Sequence, residues 1–261
     1  MRGQAQSSFC RQSLILSTKW DTIDNELIFT GVFMKQKIVF TSESTLAQQC
    51  YEQLQNEIVE GILKPGEKLK VEPIKERFSI GQSPVREALS RLVACGLVQA
   101  EDNKGFYVAA ISEADIRDTY DTYARIETTA LAMAIERGDD AWQADIVSTL
   151  YSLGLIETKG EIPSYAVWAE RNYNFHVALI AGCKSPTLLE IRRMVYMKFD
   201  RYCRMSFHVS KDSLSVNHQE HQKLAQAVLQ RDIKEAHALM EYHIMGAIED
   251  VVKKFKENHL I

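Results

Sequence analysis

The sequence GQSPVREALSRLVACGL, residues 81–97, decides the fold of the first domain. Its apolar side chains recur at three- and four-residue spacing and predict one buried helix face: Val85, Leu89, Leu92 and Val93. Ser83 is a favoured N-cap, and Pro84 suits the first helical position. Arg86 is expected on the exposed side of the first turns, where the recognition helix of a helix-turn-helix protein meets DNA. An ordinary capped helix of any α-helical domain fits the same pattern.

The segments on both sides of this helix extend the pattern to a whole domain. Apolar spacing predicts a helix over residues 45–62 and a short helix over 72–78. Two short apolar segments, 97–100 and 106–109, flank a glycine-containing turn and predict a β-hairpin. Three helices followed by a hairpin indicate a winged helix-turn-helix domain, which we place at residues 44–110.

Four motifs in this region resemble the DNA-binding domain of the GntR family of bacterial transcription regulators. They are ILKPGEKL (62–69), PVREAL (84–89), GLV (96–98) and KGFYV (104–108). The resemblance implies DNA contacts from the recognition helix and the wing, namely from Gln82, Ser83, Arg86, Lys104 and Gly105. The sequence departs from the family at Glu72, where the second helix usually has Arg, and at Gly81-Gln82, where Ser-Arg is usual. Lys70 is expected to supply the missing cation.

The second domain, residues 111–261, shows helical periodicity without a strand pattern, which predicts a bundle of six or seven helices. The first of them is expected over 112–137 and the last over 232–256. The whole protein is therefore expected to be mainly α. Several motifs resemble the FCD domain, the ligand-binding domain of FadR-type GntR regulators: FHVAL (175–179), HQKL (221–224) and RD (231–232). ERGDDAW (136–142) and FHVALIAGC (175–183) also resemble the glutarate-responsive repressor subgroup.

Three of the seven histidines occupy positions where the resemblance implies metal ligands: His176, His221 and His243. Asn172 lies four residues before His176 and shares its helix face, where the family usually has Asp. Three imidazoles suit a divalent metal such as Zn²⁺ or Ni²⁺ and leave coordination positions open for an anion. Histidines held by hydrogen bonds in an ordinary core are the alternative interpretation.

The resemblance further implies that the domain binds a small carboxylate effector, whose oxygens meet the metal. The Arg that the family has four residues before Glu127 is replaced here by Tyr123. Arg125 is close by in the sequence but is expected on another helix face. Tyr123, Arg125 and, from another helix, Arg204 are the expected effector contacts. Exposed or merely packed side chains are the alternative at each position.

Composition limits the possible classes of protein. The chain has 261 residues, 46% hydrophobic side chains and a formal net charge of -4, which suits two globular domains without a strongly basic surface. Five cysteines without a CxxC pair are typical of the cytoplasm, and no apolar run approaches the ~20 residues that a membrane span needs. Residues 1–43 lack a sustained period, so we expect a poorly ordered extension, with translation starting at Met1 or at Met34.

These observations predict a DNA-binding transcription regulator, and more specifically a repressor under effector control. Because one recognition helix reads few base pairs, we expect a homodimer on a two-fold symmetric operator of double-stranded DNA. The alternatives are a metal-dependent enzyme that uses the three histidines and a helical adaptor whose winged domain binds protein. No histidine stands in an HExxH-like arrangement, so the sequence shows no general base for an enzyme.

Overall fold

A computed structural model describes residues 45–206 and 209–261. The expected N-terminal extension, residues 1–43, and the alternative start at Met34 lie outside the described residues. Within the described part of the chain, no helix combines the length and the apolar composition that crossing a membrane requires.

The first domain is a winged helix-turn-helix, as the sequence predicts. Its elements follow in the order α1 Leu46–Val59, β1 Lys68–Leu69, α2 Val71–Phe78, α3 Gln82–Ala94, β2 Val98–Glu101 and β3 Gly105–Val108. The strands form an antiparallel sheet in the order β1-β3-β2, with Lys68 opposite Tyr107 and Val98 opposite Val108. The three helices bury their apolar faces in one core, to which Leu54, Phe78 and Leu89 contribute.

The start of α3 corrects the predicted cap. Gly81, in extended conformation, is the N-cap residue, and the helix begins at Gln82. Ser83 therefore lies inside the first turn with its side chain exposed. Pro84 is tolerated as the third helical residue because the first four N–H groups of a helix have no partner within it. The hydroxyl of Ser83 is consequently not used for capping.

Two other boundaries in the first domain differ from the prediction. Helix α1 ends at Val59 because Gly61 follows with φ +70°, a left-handed conformation that terminates helices, so Ile62 lies beyond the helix and is exposed. The hairpin gains a third strand, β1, which is only two residues long. A strand of that length leaves no periodicity to detect.

The second domain is an all-helical bundle, and seven helices lie within its described residues. They are α4 Glu113–Arg137, α5 Asp140–Glu157, α6 Tyr165–Ala181, α7 Pro186–Ser206, α8 Lys211–Leu229, α9 Ile233–Met245 and α10 Ile248–Glu257. The single helix predicted over 232–256 is two helices, divided at Gly246. A Cβ at that position would lie 2.8 Å from the carbonyl oxygen of Tyr242, so the tight turn requires glycine.

Helix α7 is the element that touches both domains. One stripe of its side chains, spaced as i, i+3, i+4 and i+7, faces into the bundle: Tyr196, Phe199, Asp200 and Cys203. From another face, Met197 packs against the core of the winged domain, where its Sδ lies 3.4 Å from the hydroxyl of Tyr51. Arg201, one turn further along, donates a hydrogen bond of 3.0 Å from Nη1 to the carbonyl of Ala109. Ala109 lies in the segment that joins the two domains.

Candidate DNA-binding surface and three-histidine site

The N-terminal end of α3 presents the expected recognition residues together. Gln82, Ser83 and Arg86 are all exposed, whereas Val85 and Leu89 on the opposite side are buried. Arg86 forms no ion pair with any residue that the structure describes. Its guanidinium is therefore available for a guanine edge or a phosphate.

Two further cations that are predicted to contact DNA lie in the wing and at the start of α2. Gly105 lies in the turn of the hairpin at φ +102°, a backbone conformation in which a residue with a side chain would be strained. Lys104 is exposed, and its Nζ lies 3.1 Å from the Glu101 carboxylate. Lys70 is exposed at the N-cap position of α2. A DNA phosphate would compete with Glu101 for Lys104.

Inside the bundle, the three predicted histidines converge from three different helices. His176 comes from α6, His221 from α8 and His243 from α9, and one ring nitrogen from each lies within 4.8 Å of the others. The ring centroids of His221 and His243 are 4.8 Å apart, and those of His176 and His243 are 5.2 Å apart. His176 and His221 are buried, and His243 is half-buried.

The state of these rings fits a metal centre. Burial lowers the pKa of His176 well below 6.5 and also lowers the pKa of His221, so both rings are neutral near pH 7, the form that binds metals. Among the described residues, neither ring nitrogen of His221 has a hydrogen-bond partner, and the buried Oδ1 of Asn172 also has none. Buried polar atoms are rarely left unpaired, and a metal would bind one ring nitrogen of His221 and the oxygen of Asn172. Three imidazoles and an amide oxygen form a donor set suited to Zn²⁺ or Ni²⁺.

Two carboxylates stand behind the cluster, and neither was anticipated from the sequence. An oxygen of Glu157 lies 3.4 Å from Nδ1 of His221, and an oxygen of Glu220 lies 2.6 Å from Nδ1 of His243. Glu157 also accepts hydrogen bonds from Trp168, at 3.1 Å, and contacts Nδ1 of His218 at 3.1 Å. His218, whose side chain is 20% exposed, joins this network through Glu157.

A cavity of about 100 Å³ adjoins the histidine cluster. Its walls are mostly aromatic, with Tyr120, Tyr123, Tyr165, Trp168, Tyr173, Tyr196 and Phe199 contributing. The polar lining includes His176, His243, Asn172 and Asp200. A space of this size and composition suits a small molecule with one polar end directed at the histidines.

The expected effector residues occupy different environments. Tyr123 lines the cavity. Arg125 lies outside the cavity: its side chain is 76% exposed and paired with Asp121, because two residues along a helix place it on another face. Arg204 pairs with the cavity residue Asp200 at 2.7 Å and stands 5.3 Å from the ring of Tyr165, which places it behind the cavity wall. Arg125 therefore does not reach a molecule bound in this cavity.

Arg192, which the sequence did not single out, is the buried cation of this region. It is 2% exposed and donates from Nε to Glu127 at 2.6 Å and from Nη2 to the hydroxyl of Tyr123 at 2.9 Å. Its guanidinium carbon also lies 5.0 to 5.6 Å from the ring centroids of Tyr123, Tyr173 and Tyr196. Three cavity-lining rings are thus held by one cation. Only helix packing brings α7 to α4, so no local sequence signal indicated this pairing.

This fold and these surfaces define a winged-helix transcription regulator with a helical sensor-like second domain. Comparison with known families agrees: residues 46–108 match "Bacterial regulatory proteins, gntR family", and residues 118–246 match "FCD domain". The chain belongs to the GntR family and carries an FCD domain. Both families consist of transcription regulators, so the metal-dependent enzyme is set aside.

Individual relatives lead to the same class. The chain is 36% identical to the HTH-type transcriptional repressor GlaR of Escherichia coli (strain K12) over 202 residues, which cover 76% of this chain and 92% of the relative. It is 33% identical to the HTH-type transcriptional regulator BphR of Paraburkholderia xenovorans (strain LB400) over 214 residues, covering 81% and 86%. The solved structure of E. coli McbR/YncC shares the fold, with a TM-score of 0.67 at 20% identity, covering 81% of this chain and 99% of that one.

Proposed function

We propose that this regulator is a repressor whose operator affinity is controlled by a small carboxylate effector, bound with a divalent metal in the FCD domain. The observation that carries the proposal is the convergence of His176, His221 and His243 beside an aromatic cavity. Three imidazoles from three helices meet beside the cavity, and a divalent metal with a bound anion would use all three.

The protein side of the metal centre consists of the three histidines and Asn172. When bound, a divalent metal supplies a Lewis-acidic position for a carboxylate oxygen. The amide oxygen of Asn172 is a weaker ligand than the carboxylate usual in the family, so the three histidines contribute most of the affinity. Zn²⁺ and Ni²⁺ are the metals that this donor set favours.

The rest of the cavity selects the effector. Tyr123 carries a hydroxyl that Arg192 orients, and Asp200, which pairs with Arg204 behind the cavity wall, forms a second polar end. A second carboxylate on the effector would compete with Asp200 for Arg204. The cavity of about 100 Å³ suits an acid of a few carbon atoms. Glutarate, which the local sequence resemblance indicates, is the probe that we would use first.

Effector binding reaches the DNA surface through shared helices. The metal ligands join α6, α8 and α9, while α7 lines the same cavity and also contacts the winged domain through Met197 and Arg201. An effector changes DNA affinity only if two arrangements of these helices bind it differently, and DNA must then change effector affinity by the same factor. We propose that the segment from Ala109 to Glu113 carries the change.

The experiment compares wild-type protein with His221→Ala on a DNA duplex selected from a random pool by the wild-type protein. Wild-type protein should lose about 5- to 150-fold in DNA affinity when Zn²⁺ and glutarate are added, a typical range for coupled sites. His221→Ala should bind the duplex equally well without effector and should not respond. If this variant still responded to glutarate without metal, the histidines would be structural and the proposal would be wrong.

A further inference from the structure

We infer that Glu157 and Glu220 are positioning residues of the metal centre, which orient His221 and His243 and supply the negative charge that Asn172 lacks. This inference rests on the proposed metal site. It assigns a role to two carboxylates that contact the predicted ligands but do not belong to the ligand set.

The first of these contacts is fully buried. The side chains of Glu157 and His221 are both 0% exposed, and Oε1 of Glu157 lies 3.4 Å from Nδ1 of His221. A carboxylate beside Nδ1 favours the tautomer in which Nδ1 carries the proton and Nε2 is free. Trp168 and His218 hold the glutamate from two other directions, at 3.1 Å each. The carboxylate is therefore fixed before a metal arrives.

The second contact repeats the first at the other end of the cluster. Oε2 of Glu220 lies 2.6 Å from Nδ1 of His243, at a side-chain exposure of 25% and 12%. Its short distance indicates a charge-assisted hydrogen bond. Glu220 directly precedes His221 on α8, so one helix supplies a ligand and, from the next position, the carboxylate for a ligand on α9.

Charge explains why two such carboxylates are useful here. Imidazole and amide groups bind a metal in their neutral form, so three histidines and Asn172 would leave a divalent cation its full charge in a buried site. Burying an uncompensated charge is costly. Glu157 and Glu220 stand one residue layer behind the ligands and offer two negative charges there. The family usually has Asp at the position of Asn172, and its negative charge is here supplied by the two carboxylates that contact the histidines.

The test uses full-length protein stripped of metal, with the variants Glu157→Gln and Glu220→Gln. Glutamine keeps the shape and removes the charge. Glu241→Gln is the matched control, because Glu241 contacts a histidine, His237, at 3.8 Å on α9, with both side chains exposed. Zn²⁺ affinity is measured by competition with a chromophoric chelator. Co²⁺ is then bound in place of Zn²⁺, and its visible absorption reports the geometry of the ligands.

Each of the two variants should weaken Zn²⁺ binding by about 10- to 100-fold and shift the Co²⁺ spectrum, whereas Glu241→Gln should match wild-type protein. Folded variants with wild-type affinity and an unchanged spectrum would overturn the inference alone. If wild-type protein itself bound no Zn²⁺, both the proposed metal site and this inference would be wrong. Should Glu157→Gln not fold, Glu220→Gln decides by the same criteria, because Glu220 is partly exposed and its replacement disturbs the core less.

Discussion

Arg86 is the side chain on which DNA recognition depends most directly. It is exposed on the first turns of α3 and has no ion pair with the described residues. Replacing Arg86 with Ala should weaken binding to the selected duplex by about 1–3 kcal/mol, because a base or phosphate contact is lost. Fluorescence anisotropy measures the affinity and circular dichroism checks the fold. Arg125→Ala, an exposed arginine on α4, is the control. Wild-type affinity of the Arg86 variant would remove this residue from the DNA surface.

The buried pair of Arg192 and Glu127 makes a prediction about stability. The two side chains are 2% and 0% exposed. Replacing Glu127 with Ala should lower the free energy of unfolding by about 3–5 kcal/mol, because the guanidinium is left buried without its carboxylate. Replacing both residues, as in Glu127→Gln with Arg192→Met, should cost less than Glu127→Ala alone. Urea denaturation measures both changes. A double variant that is less stable than Glu127→Ala would contradict this, because the loss of stability would then not come from an unpaired buried charge.

Single residues of the site could be predicted from the sequence, but the pairs that they form could not. The family motifs identified His176, His221 and His243 individually, and the structure brings these three together. Glu157 and Arg192 could not be found in this way. Each meets its partner only through the crossing of two helices, and a single sequence does not show which helix faces cross.

At the scale of elements, long amphipathic helices were predictable and their ends were not. Helix α4 was expected over 112–137 and begins at Glu113 after the N-cap Ser112, whose side chain accepts from the N–H of Asp115. The cap residue of α3 and the division between α9 and α10 depend instead on backbone geometry at Gly81 and Gly246. Glycine occurs in several kinds of local structure, so its presence in the sequence does not show where a helix begins or ends.

Helix α7 gives a prediction about communication between the domains. Arg201 is 1% exposed, bonds the carbonyl of Ala109, and has two guanidinium nitrogens without partners in the described structure. Arg201→Met keeps the length of the side chain and removes the link. The effector-dependent change in DNA affinity should therefore shrink. The free energy of unfolding should change by no more than about 1 kcal/mol, since removing a poorly compensated charge offsets the lost bond.

The control for this prediction is Arg125→Met, which removes an exposed arginine from α4 and should leave the coupling at its wild-type value. Anisotropy titrations with and without Zn²⁺ and glutarate give the coupling for each variant. An Arg201 variant with the full wild-type response would show that the route between the domains runs elsewhere.

For the whole molecule, the modest charge of the chain bears on how it binds DNA. The net charge is -4, so the basic side chains of the DNA surface act locally rather than as a broad positive field. Two winged domains on one duplex double the number of phosphate and base contacts. We therefore propose a homodimer in which each subunit carries its own three-histidine centre, since all three ligands come from one chain.

Native mass spectrometry of the full chain, loaded with Zn²⁺ and glutarate, tests whether the three histidines hold a metal and an acid. We expect a dimer that carries one metal ion and one small acid per chain. His221→Ala should give a dimer without either, because the buried ligand on α8 is gone. Wild-type protein without metal, or a His221 variant with the same metal content as wild-type protein, would contradict the account.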